Sequence, residues 1–138
     1  MAEPAPLRVA LARLLLVDDD HDAVEVLGEL LRFEGHEVRT ACTGEEGLEL
    51  LRAAPLPDVV VLDVEMPVLG GPGMANRMFL HGAGEEKVPV ILVSGRADLA
   101  EIAGRMGTRY FVQKPPDFAK FLSVLGKALD ERSPPSSA

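Results

Sequence analysis

At 138 residues, 47% of them hydrophobic, the chain is long enough to bury a core as one domain without disulfides or a structural metal, and too apolar for a disordered segment. A formal net charge of −8 disfavours direct contact with nucleic acid or an anionic membrane surface. The single cysteine, Cys42, excludes an internal disulfide, no Cys/His group has zinc spacing, and no apolar run reaches the length of a membrane span.

The N-terminus lacks a basic region before its apolar stretch, which Arg8 and Arg13 interrupt, so it does not read as a signal peptide. These features point to a cytoplasmic protein without membrane insertion. Residues 1–11, rich in Ala and Pro, read as a loose leader, residues 12–131 as the domain, and residues 132–138 as a flexible tail.

Inside the domain, short apolar runs alternate with helical patterns. The first run is Leu14 to Val17, followed by a helix with Val24, Leu27, Leu30 and Leu31 on one face and a stop at Gly35. A short extended piece, Glu37 to Ala41, leads to a second helix capped by Thr43, with Leu48 and Leu51 facing inward and an end near Pro55. The third run, Val59 to Leu62, is apolar on both faces, as a strand buried between helix layers should be. The next segment, Gly70-Gly71-Pro72-Gly73, is rich in glycine, which disfavours helix and predicts a loop with a late helix start. The fourth run is Val90 to Val93, the fifth is Tyr110 to Val112, and the last helix places Phe118, Phe121, Leu122, Leu125 and Leu129 on one face. Five strands alternating with five helices predict an α/β fold, a doubly wound parallel sheet with both faces covered.

Sheets of this kind place their sites beyond the carboxyl ends of the strands. Asp18, Asp19 and Asp20 follow the first run, Asp63 the third, Ser94 the fourth and Lys114 the fifth. Any one of these has an ordinary explanation. Asp20 and Asp22 read as helix-cap or solvated residues, a Ser after a strand as turn chemistry, and a Lys as a solvated side chain. Capping cannot account for Asp18, Asp19 and Asp63 together. Carboxylates about 4 Å apart repel by roughly 4 kcal/mol at an effective dielectric near 20, which a divalent cation relieves, and oxygen ligands suit Mg²⁺, with Mn²⁺ as a substitute. A carboxylate can itself be the nucleophile in phosphoryl transfer, with Ser94 and Lys114 supplying a hydroxyl and an ammonium for the phosphoryl oxygens or, for Lys114, for Asp63 before transfer.

At these residues the chain resembles the receiver domains of two-component response regulators, in length those of the single-domain chemotaxis type. The resembling segments are Leu-Leu-Val-Asp-Asp-Asp (15 to 20), Asp-Val-Val-Val-Leu-Asp-Val-Glu-Met-Pro (58 to 67), Val-Ile-Leu-Val-Ser-Gly (90 to 95) and Val-Gln-Lys-Pro (112 to 115), and the likeness runs from about Arg13 to Asp130. It implies a flavodoxin-like (βα)5 fold with strand order 2-1-3-4-5. It implies that Asp63 is the phosphoacceptor for a sensor histidine kinase or phosphotransfer protein. Asp18, Asp19 and Asp63 would hold Mg²⁺ with the backbone carbonyl of Glu65. Ser94 and Lys114 would bind phosphoryl oxygens, Ser94 and Phe111 would act as the switch pair, and Glu65 and Arg96 would occupy the positions that tune the lifetime of the acyl phosphate. The opposite charges of Glu65 and Arg96 suggest a pair across the mouth of the pocket that slows hydrolysis, against the plainer reading of a screened surface pair. Tyr110, one place off the switch position, reads as a surface or helix-packing ring.

One departure falls between Ser94 and Lys114. Only 20 positions separate them, fewer than the family pattern leads one to expect, so the helix within Ala97 to Gly107 should be short or irregular. That puts a standard partner or dimer face in doubt, leaving monomer and phosphorylation-linked homodimer both open. The domain is expected to close near Asp130 with no second domain after it, and the expected output is through a downstream protein partner or a relay. Two other functions compete with a phosphorylated switch that acts on no substrate but its own aspartate. One is a constitutive protein-binding pseudo-receiver. The other is an aspartyl-phosphate phosphatase, whose nucleophile and acid/base residue two places on would be Asp18 with Asp20 or Asp63 with Glu65. His21, His36, His81 and Cys42 carry no ligand spacing and read as surface or packing residues.

Overall fold

The computed structural model describes residues 11–53, 55–66, 70, 73–74, 77, 87–114 and 117–135. Its elements are β1 (Arg13–Val17), α1 (His21–Phe33), β2 (Glu37–Ala41), α2 (Gly44–Arg52), β3 (Val59–Asp63), β4 (Val90–Ser94), α3 (Leu99–Met106), β5 (Tyr110–Gln113) and α4 (Phe118–Glu131). The strands form one sheet in the order β2-β1-β3-β4-β5, with every neighbouring pair parallel. This is the topology expected from the sequence. Four helices lie among the described residues. A fifth, expected between β3 and β4, falls mostly outside them; of its residues Gly73, Met74 and Arg77 are described, all helical.

Strand side chains alternate between the two faces, and the helices divide accordingly. Leu15, Val17, Val60, Leu62, Val90 and Leu92 pack with Leu48 and Leu51 of α2 and with Leu99, Ile102 and Ala103 of α3. Leu14, Leu16, Val59, Val61, Ile91 and Val93 pack on the opposite face with Leu31 of α1 and Phe121, Leu125 and Leu129 of α4. Both faces of β3 and β4 are thus covered, and all five residues of each are buried.

Helix ends follow local chemistry. Asp20 accepts from the Ala23 amide and Thr43 from the Glu46 amide, satisfying donors that the first turn leaves free. Gly35, at φ 100°, closes α1: its amide donates to Arg32 and the next amide, of His36, to Leu31. Gly107, at φ 79°, ends α3 in the same left-handed conformation. The shortness predicted for the Ala97–Gly107 segment is real: α3 has 8 residues, and it is regular with a well-formed end.

Tyr110 and Phe111 part as strand alternation requires. Tyr110 is buried under α4, where its hydroxyl donates to Glu131 at 2.8 Å, so it is a helix-packing ring. Phe111 points the other way and is 39% exposed.

Candidate functional site

The parallel register brings the ends of β1, β3, β4 and β5 to one edge. Val17 pairs with Leu62, Asp63 with Val93 and Ser94 with Gln113, so Asp18, Asp63, Ser94 and Lys114 emerge side by side. Asp63, the last residue of β3, is only 7% exposed and forms the floor. Asp18 is half-buried beside it and Asp19 is exposed at the rim. These three each direct a carboxylate oxygen to within 4.8 Å of the others. Such a set of hard anionic oxygens, open to solvent on one side, fits a divalent cation that keeps part of its water shell.

Among the described residues, the ammonium group in this cleft is that of Lys114. Its Nζ lies 2.7 Å from Asp18 Oδ2 and 3.6 Å from Asp63 Oδ1. Its primary partner is therefore Asp18, with Asp63 in looser contact. Burial works against the Lys114 charge. The hydrogen bond and attraction to Asp18, with attraction to Asp63, outweigh burial and hold its pKa above the ordinary lysine value. Asp63 shifts the other way for a carboxylate: burial first, then repulsion from Asp18, raise its pKa to about 6, and Lys114 only partly offsets them.

Ser94 is buried, and its Oγ accepts the Arg96 amide hydrogen at 3.1 Å. It performs turn chemistry here, and among the described residues its own hydroxyl hydrogen has no acceptor. The Glu65 amide makes a long contact, 3.4 Å, with Asp63 Oδ1. Across the mouth, Arg96 Nη1 meets Glu65 Oε1 at 2.9 Å, so the expected Glu65–Arg96 pair is formed. Arg96 also grips Asp98 through Nε at 2.9 Å and Nη2 at 3.2 Å, while its carbonyl accepts from Gln113 Nε2 at 3.0 Å. Sequence reasoning did not single out Asp98 or Gln113. Asp98 could have been found as an acid two places past Arg96, whereas Gln113 is revealed only by the pairing of β4 with β5. Asp20 and Asp22 take no part in the carboxylate cluster: Asp20 caps α1 and Asp22 sits exposed in its first turn.

Comparison with known proteins bears on this arrangement directly. Residues 14–125 match the model of the response regulator receiver domain. The chain belongs to the response regulator receiver family. It is similar to protein PilH of Pseudomonas aeruginosa, 34% identical over 121 residues that cover 86% of this chain and 98% of that one. It is also similar to the transcriptional regulatory protein AfsQ1 of Streptomyces coelicolor, 37% identical over 122 residues, and there it spans 48% of the relative's length. Among solved structures, a response regulator receiver domain protein from Clostridium thermocellum superposes with a TM-score of 0.78 at 27% identity, covering 88% of this chain and 97% of that one. A CheY-like receiver from Methanospirillum hungatei gives 0.77 at 27% identity, covering 89% and 97%. As a receiver, the chain is a module of two-component signalling. No helix among its described residues is long and apolar enough to cross a membrane.

Proposed function

We propose that this receiver is a phosphoacceptor switch in which Asp63 takes a phosphoryl group from the phosphohistidine of a sensor histidine kinase or phosphotransfer protein. The observation that carries the reading is the convergence of Asp18, Asp19 and Asp63 around one point, with Lys114 beside them. An Asp63 oxygen attacks phosphorus, and the bond from phosphorus to the donor imidazole breaks with its electrons returning to the ring.

Asp18, Asp19, Asp63 and the Glu65 carbonyl would hold Mg²⁺, or Mn²⁺ in its place. When bound, the ion relieves the carboxylate repulsion and stabilises the charge of the moving phosphoryl group. Lys114 then turns from Asp18 toward a phosphoryl oxygen, and Ser94 donates its hydroxyl hydrogen to another. Ser94 sits on the backbone of the turn that leads to α3, so its movement is felt there and at Phe111 on the neighbouring strand. These two form the switch read by a downstream protein partner, either as a monomer or through a phosphorylation-linked homodimer. The Glu65–Arg96 pair bridges the mouth and slows the entry of water to the acyl phosphate.

The first half of α1 lines the cleft through Ala23, Val24 and Leu27. Val26, Leu30 and Phe33 form an exposed stripe at helical spacing that leads from this half toward the opposite edge of the sheet, with Phe33 91% exposed. Such a stripe supports docking of an apolar helical face of the donor protein along α1.

Intact-mass measurement after incubation with Mg²⁺ and acetyl phosphate tests the acceptor. One phosphoryl adduct is expected, abolished by chelator and by Asp63→Asn. An adduct that survives Asp63→Asn would reject Asp63 as the acceptor.

A further inference from the structure

Three of the four described helices begin in the same way. Asp20, Thr43 and Asp117 each have extended backbone and accept a hydrogen bond from an amide of the first turn. Asp98, at the start of α3, does not. Its backbone sits at φ −95° and ψ 21°, and its side chain makes no cap bond. The aspartate is among the best N-cap residues, so its carboxylate has been drawn to something that competes with the cap. That competitor is Arg96. The guanidinium presents Nε and Nη2 to the two Asp98 oxygens in a two-point contact, while Nη1 reaches Glu65 on the far side of the mouth.

The rest of Arg96 is also tied down. Its amide donates to Ser94 Oγ, and its carbonyl accepts from Gln113 Nε2 and from the Leu99 amide. With backbone and guanidinium both held, the side chain has little freedom to swing. A lone exposed Glu–Arg pair is easily screened and counts for little. A planar guanidinium shared between two carboxylates, one of them in two-point contact, is a better-defined object.

We infer that Asp98 is a positioning residue for the lifetime of the phosphoryl group: it gives up the cap of its own helix to hold Arg96 across the mouth against Glu65. The inference rests on the acceptor reading of Asp63 above. In hydrolysis, a water oxygen bonds to phosphorus while the bond from phosphorus to the Asp63 oxygen breaks. The bonding electrons return to the Asp63 carboxylate, and the proton of the water leaves with inorganic phosphate or solvent. Water must reach phosphorus through the opening that Arg96 and Glu65 span. Release of Arg96 by loss of Asp98 opens that route.

The test measures loss of the acetyl-phosphate-derived adduct by intact mass in Mg²⁺, after donor removal, alongside thermal unfolding. Asp98→Ala is expected to shorten the lifetime about two- to fivefold, the range of an ion pair of this exposure, and to match Arg96→Ala. Adding Asp98→Ala to Arg96→Ala should change nothing further. Asp98→Ser restores a capping side chain without a charge. It should shorten the lifetime while keeping or raising Tm, a split that a purely structural role cannot give. If the adduct forms and all Asp98 variants decay like the unaltered protein, the clamp is overturned and the acceptor reading stands. Additive shortening in the double variant also overturns it, because Asp98 would then act by a route that bypasses Arg96. No adduct on any variant, together with no beryllofluoride-dependent rise in Tm, overturns the acceptor reading and the clamp with it.

Discussion

The Lys114 ammonium stands closer to Asp18, at 2.7 Å, than to Asp63, at 3.6 Å. In the metal-free protein, this positive charge balances two partly or wholly buried carboxylates. Removing it leaves them uncompensated, and breaking such a contact costs more than an exposed pair would. Lys114→Met should therefore lower metal-free stability by about 1–3 kcal/mol. It should also tighten Mg²⁺ binding, because the ion no longer competes with an ammonium. Urea unfolding in chelator and in saturating Mg²⁺ checks both, since the stability gap should narrow with the metal. An equal gap in both conditions would detach Lys114 from the carboxylate site.

Asp63 predicts a pH dependence of opposite character to an ordinary ion-paired acid. Its folded pKa of about 6, raised by burial and then by Asp18, lies above that of the unfolded chain. The folded state thus binds the proton more tightly. Above pH 6 the charged carboxylate destabilises the metal-free fold in full, and this penalty fades as pH falls from about 6 toward the unfolded value near 4. Asp63→Asn should raise metal-free stability at pH 8 by about 1–3 kcal/mol and remove this slope. The ranking should reverse in Mg²⁺, where the carboxylate has a ligand. Denaturant midpoints at pH 8 and pH 5 in chelator, repeated with the metal, decide the matter.

These two predictions rest on residues that were legible in the sequence, and the reason is topological. In a parallel doubly wound sheet every strand ends at the same edge, so the residue after each apolar run is a site candidate before any coordinates exist. Asp18, Asp63, Ser94 and Lys114 are all of that kind, as was the Glu65–Arg96 pair placed two residues beyond. What stayed hidden depends on choices among partners. Lys114 could have faced either carboxylate, and only the finished cleft shows Asp18 as the nearer. Asp98 passed unnoticed: it stands at the N-cap of α3, yet the nearby guanidinium took its carboxylate. His36, read as a surface or packing residue, is the packing kind, and only the structure shows its bond from the Ala12 amide.

Tyr110 carries a prediction about the far end of the same strand edge. Its ring is 1% exposed within the α4 face of the core, and its hydroxyl donates to Glu131 in the last turn of that helix. Tyr110→Phe keeps the packing and removes one hydrogen bond, whose acceptor can turn to water. The expected loss is about 0.5–1.5 kcal/mol. Tyr110→Ala also opens a cavity among Phe121, Leu125 and Leu129 and should cost about 3–5 kcal/mol. Chemical denaturation distinguishes the two. Because Phe111 points to the other face of the strand, Tyr110→Phe should leave the adduct lifetime unchanged.

His36 gives a stability contribution of opposite slope to that of Asp63. Its ring is buried at the turn after α1, Nδ1 accepts the Ala12 amide hydrogen at 3.1 Å, and Nε2 has no partner among the described residues. Burial lowers its pKa below the usual histidine value, against the opposing pull of Glu34 and the Ala12 contact. The folded state therefore resists protonation while the unfolded chain accepts it. Stability from this site is complete above the unfolded value, about 6.5, and declines as pH falls from there toward the lowered folded value. His36→Gln, which can still accept from the Ala12 amide through its carbonyl, should abolish the decline. Asp63 strengthens the metal-free fold over part of the same range, so the comparison belongs in an Asp63→Asn background. In that background, thermal unfolding from pH 7.5 to 5 should fall for His36 and run flatter for His36→Gln. Parallel curves would show that His36 exchanges its proton equally in both states, and that its burial does not reach the ring nitrogens.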